Sequence, residues 1–317
     1  MPGHRQNLTG PPLPVPTQQV QDCLRRGLDW LVRHLDLVTP EDPYDPEQMK
    51  ETAELSILYS ALTSWSATRG EPALEPIKLH LLTFLAQPEL SEWVRKLPAF
   101  YSPYVVAYLP LRSVGIRIQA FEEALKPLHR AGYPQALETT PYRELEFQHL
   151  AWKAGFTRRP PNCGSLYRRT ALARCRNPIY FSAEEVYSVT HTLIYMTDFV
   201  GDVCSLGEGE KIRAREIVEA LLLHYRRKLD WDLSSELLLN LVGLGAASTP
   251  LFANCMRAIA EAWRSDGALP GPGFPSLPPD AVRKQYFQRC YHTTLVGAIL
   301  CGAYLHWHED QVGHAGA

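Results

Sequence analysis

"YSVTHTLIYMTDF", residues 187–199, winds as a helix that sets Tyr187, His191, Tyr195 and Asp198 on one face. Val189, Leu193 and Met196 cover much of the rest. A surface helix would put charge where this one puts hydrocarbon. A tyrosine, histidine and aspartate stripe on a mostly apolar helix predicts a helix that looks into a shared polar space.

The pattern recurs along the chain. KETAELSILYSALTSW (50–65) carries Glu54, FYSPYVVAYLPL (100–111) carries Tyr101, Tyr104 and Tyr108, and YRELEFQHLAWKAG (142–155) carries Glu146 and His149. Beyond residue 199, DWDLSSELLLNLVGLG (230–245) holds Glu236 and QRCYHTTLVGAILCGAYL (288–305) holds His292. The steps from Glu54 are roughly 47, 45, 45, 45 and 56, the last lengthened by the Pro/Gly-rich loop 266–280. Between them lie segments of ordinary amphipathic pattern at 18–35, 75–97, 117–132, 211–229 and 251–265. A short, weak one at 165–176 would back the fourth polar helix.

A helical period near 45 residues predicts an all-α chain of about six helical hairpins, either an open α-solenoid or a closed ring. A ring points its inner helices at a central cavity, which aromatic and ionisable side chains would line, so the expected fold is an α/α-toroid. The expected boundaries are a Pro-rich disordered tail over 1–17, one domain over 18–308 and a flexible tail over 309–317.

Composition sets the outer limits. The 317 residues are 45% hydrophobic and 21% charged, with a formal charge of −2. That balance gives no reason to expect nucleic acid or a membrane as partner, and no apolar run approaches the roughly 18–20 residues that span a bilayer. The first residues lack the apolar stretch of a signal peptide. Seven cysteines without a C-x-x-C spacing point to a reduced, cytoplasmic protein.

The architecture so read resembles the toroids of terpene cyclases, protein prenyltransferase β-subunits and lanthipeptide cyclases. "CYHTTLVGAILCG" (290–302) is similar to the last inner helix of a prenyltransferase β-subunit, whose Tyr-His-Thr places a histidine on zinc. The resemblance implies that role for His292, although the Asp-x-Cys that completes the zinc site in that family does not precede it. "YSVTHTLIYMTDF" and "ETAELSIL" also resemble an actinobacterial all-helical family associated with antibiotic-type gene clusters, which implies natural-product biosynthesis.

The stripe residues supply the candidate chemistry. His191 is the expected acid/base, with Tyr187, Glu146, Glu236, His292 and Asp198 as catalytic partners. Glu54, Tyr104, Tyr195 and His149 are expected to line the substrate. If a metal is bound, His191 and His292 are its expected ligands and zinc the expected ion, although the acid–base reading needs no cofactor. The basic segment Arg158–Arg176, with Arg168 and Arg169 as substrate contacts, suits an anionic group or an acidic carrier protein. Cys163 is a possible free thiol in a loop, and no P-loop, G-x-S-x-G or paired terpene-cyclase aspartates are present.

The expected activity is cyclisation, isomerisation or elimination on a small, partly apolar molecule. The rival expectations are a zinc-dependent transferase or hydrolase, and a helical scaffold that binds a peptide or carrier protein without catalysis.

Overall fold

The computed structural model describes residues 15–39, 42, 49–96, 101–175, 177–200, 206–272, 274 and 282–315. Every regular element among them is helical. In chain order they are α1 (Thr17–Val32), α2 (Leu35–Val38), α3 (Lys50–Ser64), α4 (Leu74–Leu85), α5 (Pro88–Lys96), α6 (Tyr101–Ser113), α7 (Gln119–Arg130) and α8 (Tyr133–Ala136). Then follow α9 (Pro141–Lys153), α10 (Cys163–Tyr167), α11 (Ala171–Arg174), α12 (Ala183–Thr197), α13 (Glu208–Arg227), α14 (Trp231–Gly243), α15 (Pro250–Ala262) and α16 (Arg283–Ala315).

Local chemistry sets the boundaries. Ser182 and Glu185 cap the start of α12 reciprocally, and Pro141 and Pro250 sit in the first turns of α9 and α15, where a missing N–H costs nothing. Pro88 divides the segment expected as one helix over 75–97 into α4 and α5, because it cannot supply an interior N–H. Behind α12 the weak segment forms only α10, α11 and a 3₁₀ turn at Pro178–Tyr180.

Packing and helix extend a few residues past both expected domain boundaries. Val15 is buried and accepts a hydrogen bond from Tyr304 Oη, so packing starts before residue 18. Residues 1–14 lie outside the described part. At the other end α16 runs on to Ala315 instead of stopping at 308, since residues 306–312 contain no breaker and His306 pairs with Asp310 one turn on.

The six polar segments are α3, α6, α9, α12, α14 and α16. Each contacts the next, and α16 contacts α3 again. Other helices pack behind them: α1 on α16, α4 on α3, α5 on α6, α10 on α9, α11 on α12, and both α13 and α15 on α14. Trp30, Phe121 and Phe252 are among the large side chains fully buried between the layers. Each such burial contributes roughly 1.5–3 kcal/mol.

The tyrosine stripe of α6 faces this packing and not the centre. Tyr108 donates to Glu122 on α7 (2.9 Å) and stacks on Phe121, while Tyr101 meets His129 (3.1 Å). Tyr104, expected against substrate, is fully buried and lines no part of the central cavity. Val106, about half a turn round the helix, takes that place.

Gly243 closes α14 against the end of α12. A Cβ there would lie 2.5 Å from Thr197 Oγ1, 2.9 Å from Thr197 Cβ and 3.0 Å from the Phe199 carbonyl oxygen. Gly243→Ala is therefore expected to destabilise by about 1–3 kcal/mol despite alanine's better helix propensity. Thermal unfolding reads this, and an unchanged or higher midpoint would show that α12 and α14 part easily.

Candidate active site

A cavity of about 380 Å³ is lined by residues from α3, α6, α9, α12, α14 and α16, with Phe199 just past α12. Its walls are ordered by helix position. Lys50, Arg143 and Glu184, in the first turns of α3, α9 and α12, are exposed and form the rim. One or two turns on come Glu54, Glu146, Tyr187, His191, Glu236 and His292. Farther still are Ile57, Ile194, Phe199, Leu239, Leu295 and Ile299. Along α3, α12, α14 and α16 the lining passes from mostly polar to mostly apolar in the chain direction, so the cavity has a polar mouth and an apolar floor.

His292 is the hub of the polar layer. Its Nδ1 lies 3.1 Å from Glu54 Oε1, and its Nε2 lies 3.5 Å from Asp232 Oδ1 and 3.7 Å from Glu236 Oε1. Burial alone would lower its pKa, but the carboxylates of Glu54 and Asp232 outweigh burial and hold it well above the usual histidine value. Its two ring nitrogens, both facing carboxyl groups, favour the imidazolium form. Burial likewise pushes Glu54 and Glu236 upward, but the two histidines, Lys50 and the Thr190 hydroxyl reverse that and leave both below the usual carboxylate range. Asp232 goes the other way: burial raises it, and its neighbours Glu236 and Glu54 add to the rise against His292. Two carboxyls one turn apart on α14 share one imidazole nitrogen, and Asp232 is the one that favours a proton.

Tyr187 connects that carboxyl to the cavity. Its hydroxyl donates to Asp232 Oδ2 at 2.6 Å, and burial beside Asp232 keeps the phenol protonated. Thr293 also donates to Asp232 (3.2 Å), and Thr190 donates to Glu236. His191 Nδ1 lies 2.9 Å from the Tyr187 carbonyl oxygen, which can only accept, so Nδ1 carries the hydrogen. Nε2 lies on the far side of the ring from that carbonyl, and His191 is part of the cavity wall. On the opposite wall Glu146 accepts from Tyr195 and from Arg143 Nη1 (2.7 Å).

The donors do not fit the expected zinc. Both His292 nitrogens face carboxylates at ion-pair distance, and His191 Nδ1 is held by its own helix. Among the described residues no three His, Cys, Asp or Glu side chains converge as metal ligands. His191 and His292 therefore occupy one cavity without forming a common ligand set.

Other expected site residues lie elsewhere. Asp198 takes a left-handed backbone (φ 47°) at the end of α12, and its carboxylate meets His149 Nε2 (3.0 Å) and Lys153 Nζ (2.6 Å). Burial would raise its pKa, but these two partners hold it below the usual range. This trio borders a smaller chamber of about 40 Å³ beyond the cavity floor, so neither Asp198 nor His149 reaches the polar layer. Asp198→Asn is expected to cost about 2–3 kcal/mol, below the figure for a fully buried pair because a quarter of the side chain is exposed. A melting point within a degree of wild type would mean that Lys153 and His149 are satisfied without it.

Arg168 and Arg169 are also remote. Arg168 is exposed, and Arg169 pairs with Glu144 (3.0 Å). Arg169 and Arg159 edge a separate cavity of about 550 Å³ between α6–α9 and the 157–162 loop. Arg176 lies outside the described residues. Cys163 is disulfide-bonded, which corrects its reading as a free thiol and the fully reduced reading of the chain. No helix among the described residues is long and apolar enough to cross a membrane.

Asp232, Lys50, Thr190 and Arg143 belong to the site without standing in the expected stripes. Asp232 lies one turn before Glu236, and Arg143 one turn before Glu146; these i, i+4 and i, i+3 spacings were the available signal.

No curated protein and no solved structure matches the chain. Residues 24–302 match the family described as a domain of unknown function, DUF6895. The chain belongs to that family, which takes in all six polar helices up to Gly302 of α16.

Proposed function

We propose that the six polar helices form an α/α-toroid, and that its central cavity is the active site of an enzyme performing acid–base chemistry on a small, partly apolar molecule. The cycle of contacts that returns from α16 to α3 supports the ring. One observation carries the chemistry: the His191 imidazole, anchored through Nδ1 to the Tyr187 carbonyl, and the Tyr187 hydroxyl, backed by Asp232, line the same cavity.

In this reading His191 takes a proton from the substrate. When Asp232 is protonated, the 2.6 Å contact can run from Asp232 to Tyr187, and the phenol then turns its hydrogen to the substrate. The proton lost by Tyr187 is made good by Asp232. His292, fixed among the carboxyl groups of Glu54, Asp232 and Glu236, supplies positive charge to a developing anion. Removal at one atom and delivery at another is isomerisation; delivery to a leaving group is elimination; bond closure between the two is cyclisation.

The test is an untargeted mass comparison. A mixed small-molecule extract in D₂O is incubated with wild type or with His191→Ala, and compounds that change mass or take up deuterium are identified. At least one such change, absent with the variant, is expected. Identical profiles from the two proteins would sink the enzyme reading.

A further inference from the structure

The floor of the central cavity is a partition. Ile57, Tyr195 and Phe199 line both the central cavity and the chamber of about 40 Å³ behind it. Ile57 sits on α3, and the Tyr195 hydroxyl is tied to Glu146. Phe199 hangs on a single turn and is the most easily altered of the three.

That turn is held from several sides. Phe199 has a left-handed backbone at φ 69°, costly for a residue with a Cβ. Its N–H donates to the Ile194 carbonyl (3.1 Å), and its ring meets Trp65 edge-on at 6.1 Å. The preceding Asp198 is anchored by His149 and Lys153. Two consecutive non-glycine residues at positive φ are sustained by surroundings that over-determine them. The result is an aromatic side chain fixed between the two spaces, in the same wall region as Leu239, Leu295 and Ile299 of the central cavity.

Polar groups cluster at the mouth and apolar ones at the floor, so an amphiphile fits in one direction only. We propose that the central cavity takes a small amphiphile apolar end first, and that Phe199 is the wall on which this end stops, so that residue 199 sets the accepted length. The proposal rests on the reading of the central cavity as the functional site. The bound polar head lies level with His191, Glu236 and His292, and the tail runs along Leu239, Leu295 and Ile299 toward the partition. Asp198 is then a positioning residue for the wall.

Calorimetric titration of linear n-alkyl compounds of increasing length tests this, in three series with ammonium, hydroxyl and carboxylate heads. In the series that binds, affinity should rise about four-fold per methylene, the factor equivalent to about 0.8 kcal/mol. The rise should stop at one length. Phe199→Gly, which also relaxes the left-handed backbone, should move the stop to chains longer by at least one methylene. Phe199→Trp should move it to shorter ones. A stop at the same length in all three proteins, affinity independent of length, or no binding in any series would overturn the proposal.

The readout needs no turnover, which separates the two ideas. If the stop moves with residue 199 while His191→Ala leaves the mass profile unchanged, the cavity binds without reacting. If turnover depends on His191 but the stop stays fixed, the cavity reacts and Phe199 is not its end.

Discussion

His292→Ala is expected to lower stability by about 3–5 kcal/mol near neutral pH, the cost of leaving buried charge unpaired. The side chain is the one cation within 4 Å of Glu54, Asp232 and Glu236 together. Its removal leaves three carboxyl groups of little exposure facing one another. The pH dependence follows from the directions of the shifts. The raised folded pKa of His292 makes its contribution complete below the unfolded value of 6.5, and the contribution is lost as pH rises through the folded value. The depressed values of Glu54 and Glu236 make theirs complete above the unfolded 4.5, and lost as pH falls through the folded values. The gap between wild type and variant should therefore be widest between about pH 4.5 and 6.5, and should shrink above that as pH climbs toward the folded His292 value. It should narrow on acidification, as the orphaned carboxyls take up protons. Thermal unfolding from pH 4 to 9 measures it. A variant as stable as wild type at pH 7, or a gap indifferent to pH, would show that the carboxylates are neutralised by something other than His292.

The cavity is legible in the sequence through a repeat. Glu54, Glu146, Tyr187, His191, Tyr195, Glu236 and His292 all line it, because an inner helix must carry polar groups on an otherwise apolar cylinder and repeats them at the hairpin period. Tyr104 failed for a physical reason: a tyrosine stripe suits a buried helix interface as well as a cavity, and α7 supplies the partners that claim its neighbours. Asp198 failed because the face argument assumes that the helix continues. The backbone turns left-handed there and carries the carboxylate off the stripe to His149 and Lys153. The environment of His292 was hidden for another reason. Glu54 lies 238 positions away by number and Asp232 and Glu236 lie on a third helix, so the local Tyr-His-Thr pattern fits a metal ligand and an ion-paired imidazolium equally well. The apolar floor carries no motif, since Ile194 or Leu239 looks like any core residue until the helices are assembled.

For His191 the expected effect falls on rate. His191→Ala should reduce turnover of the compound found by mass comparison by about 10²–10⁴, the usual worth of a positioned acid or base. Stability should change little, because the ring is partly exposed to the cavity and gives up only its Nδ1 contacts, to the Tyr187 carbonyl and the Thr190 hydroxyl, together worth about 1 kcal/mol. That combination separates His191 from His292, whose loss should be felt first in the melting point. The space left by the missing ring opens directly on a cavity of about 380 Å³, so added imidazole can occupy it with both nitrogens free. Partial recovery of turnover with imidazole would show that the chemistry needs a base at this position and not merely the bulk of a side chain. His191→Phe, which keeps the volume and the contacts with Tyr142 and Tyr187 but has no lone pair, should stay inactive with or without imidazole. If His191→Ala unfolds, the ring is a packing element. If it folds and turns over normally, the base lies elsewhere on the wall, and Glu146 and Glu236 are the carboxylates to replace next.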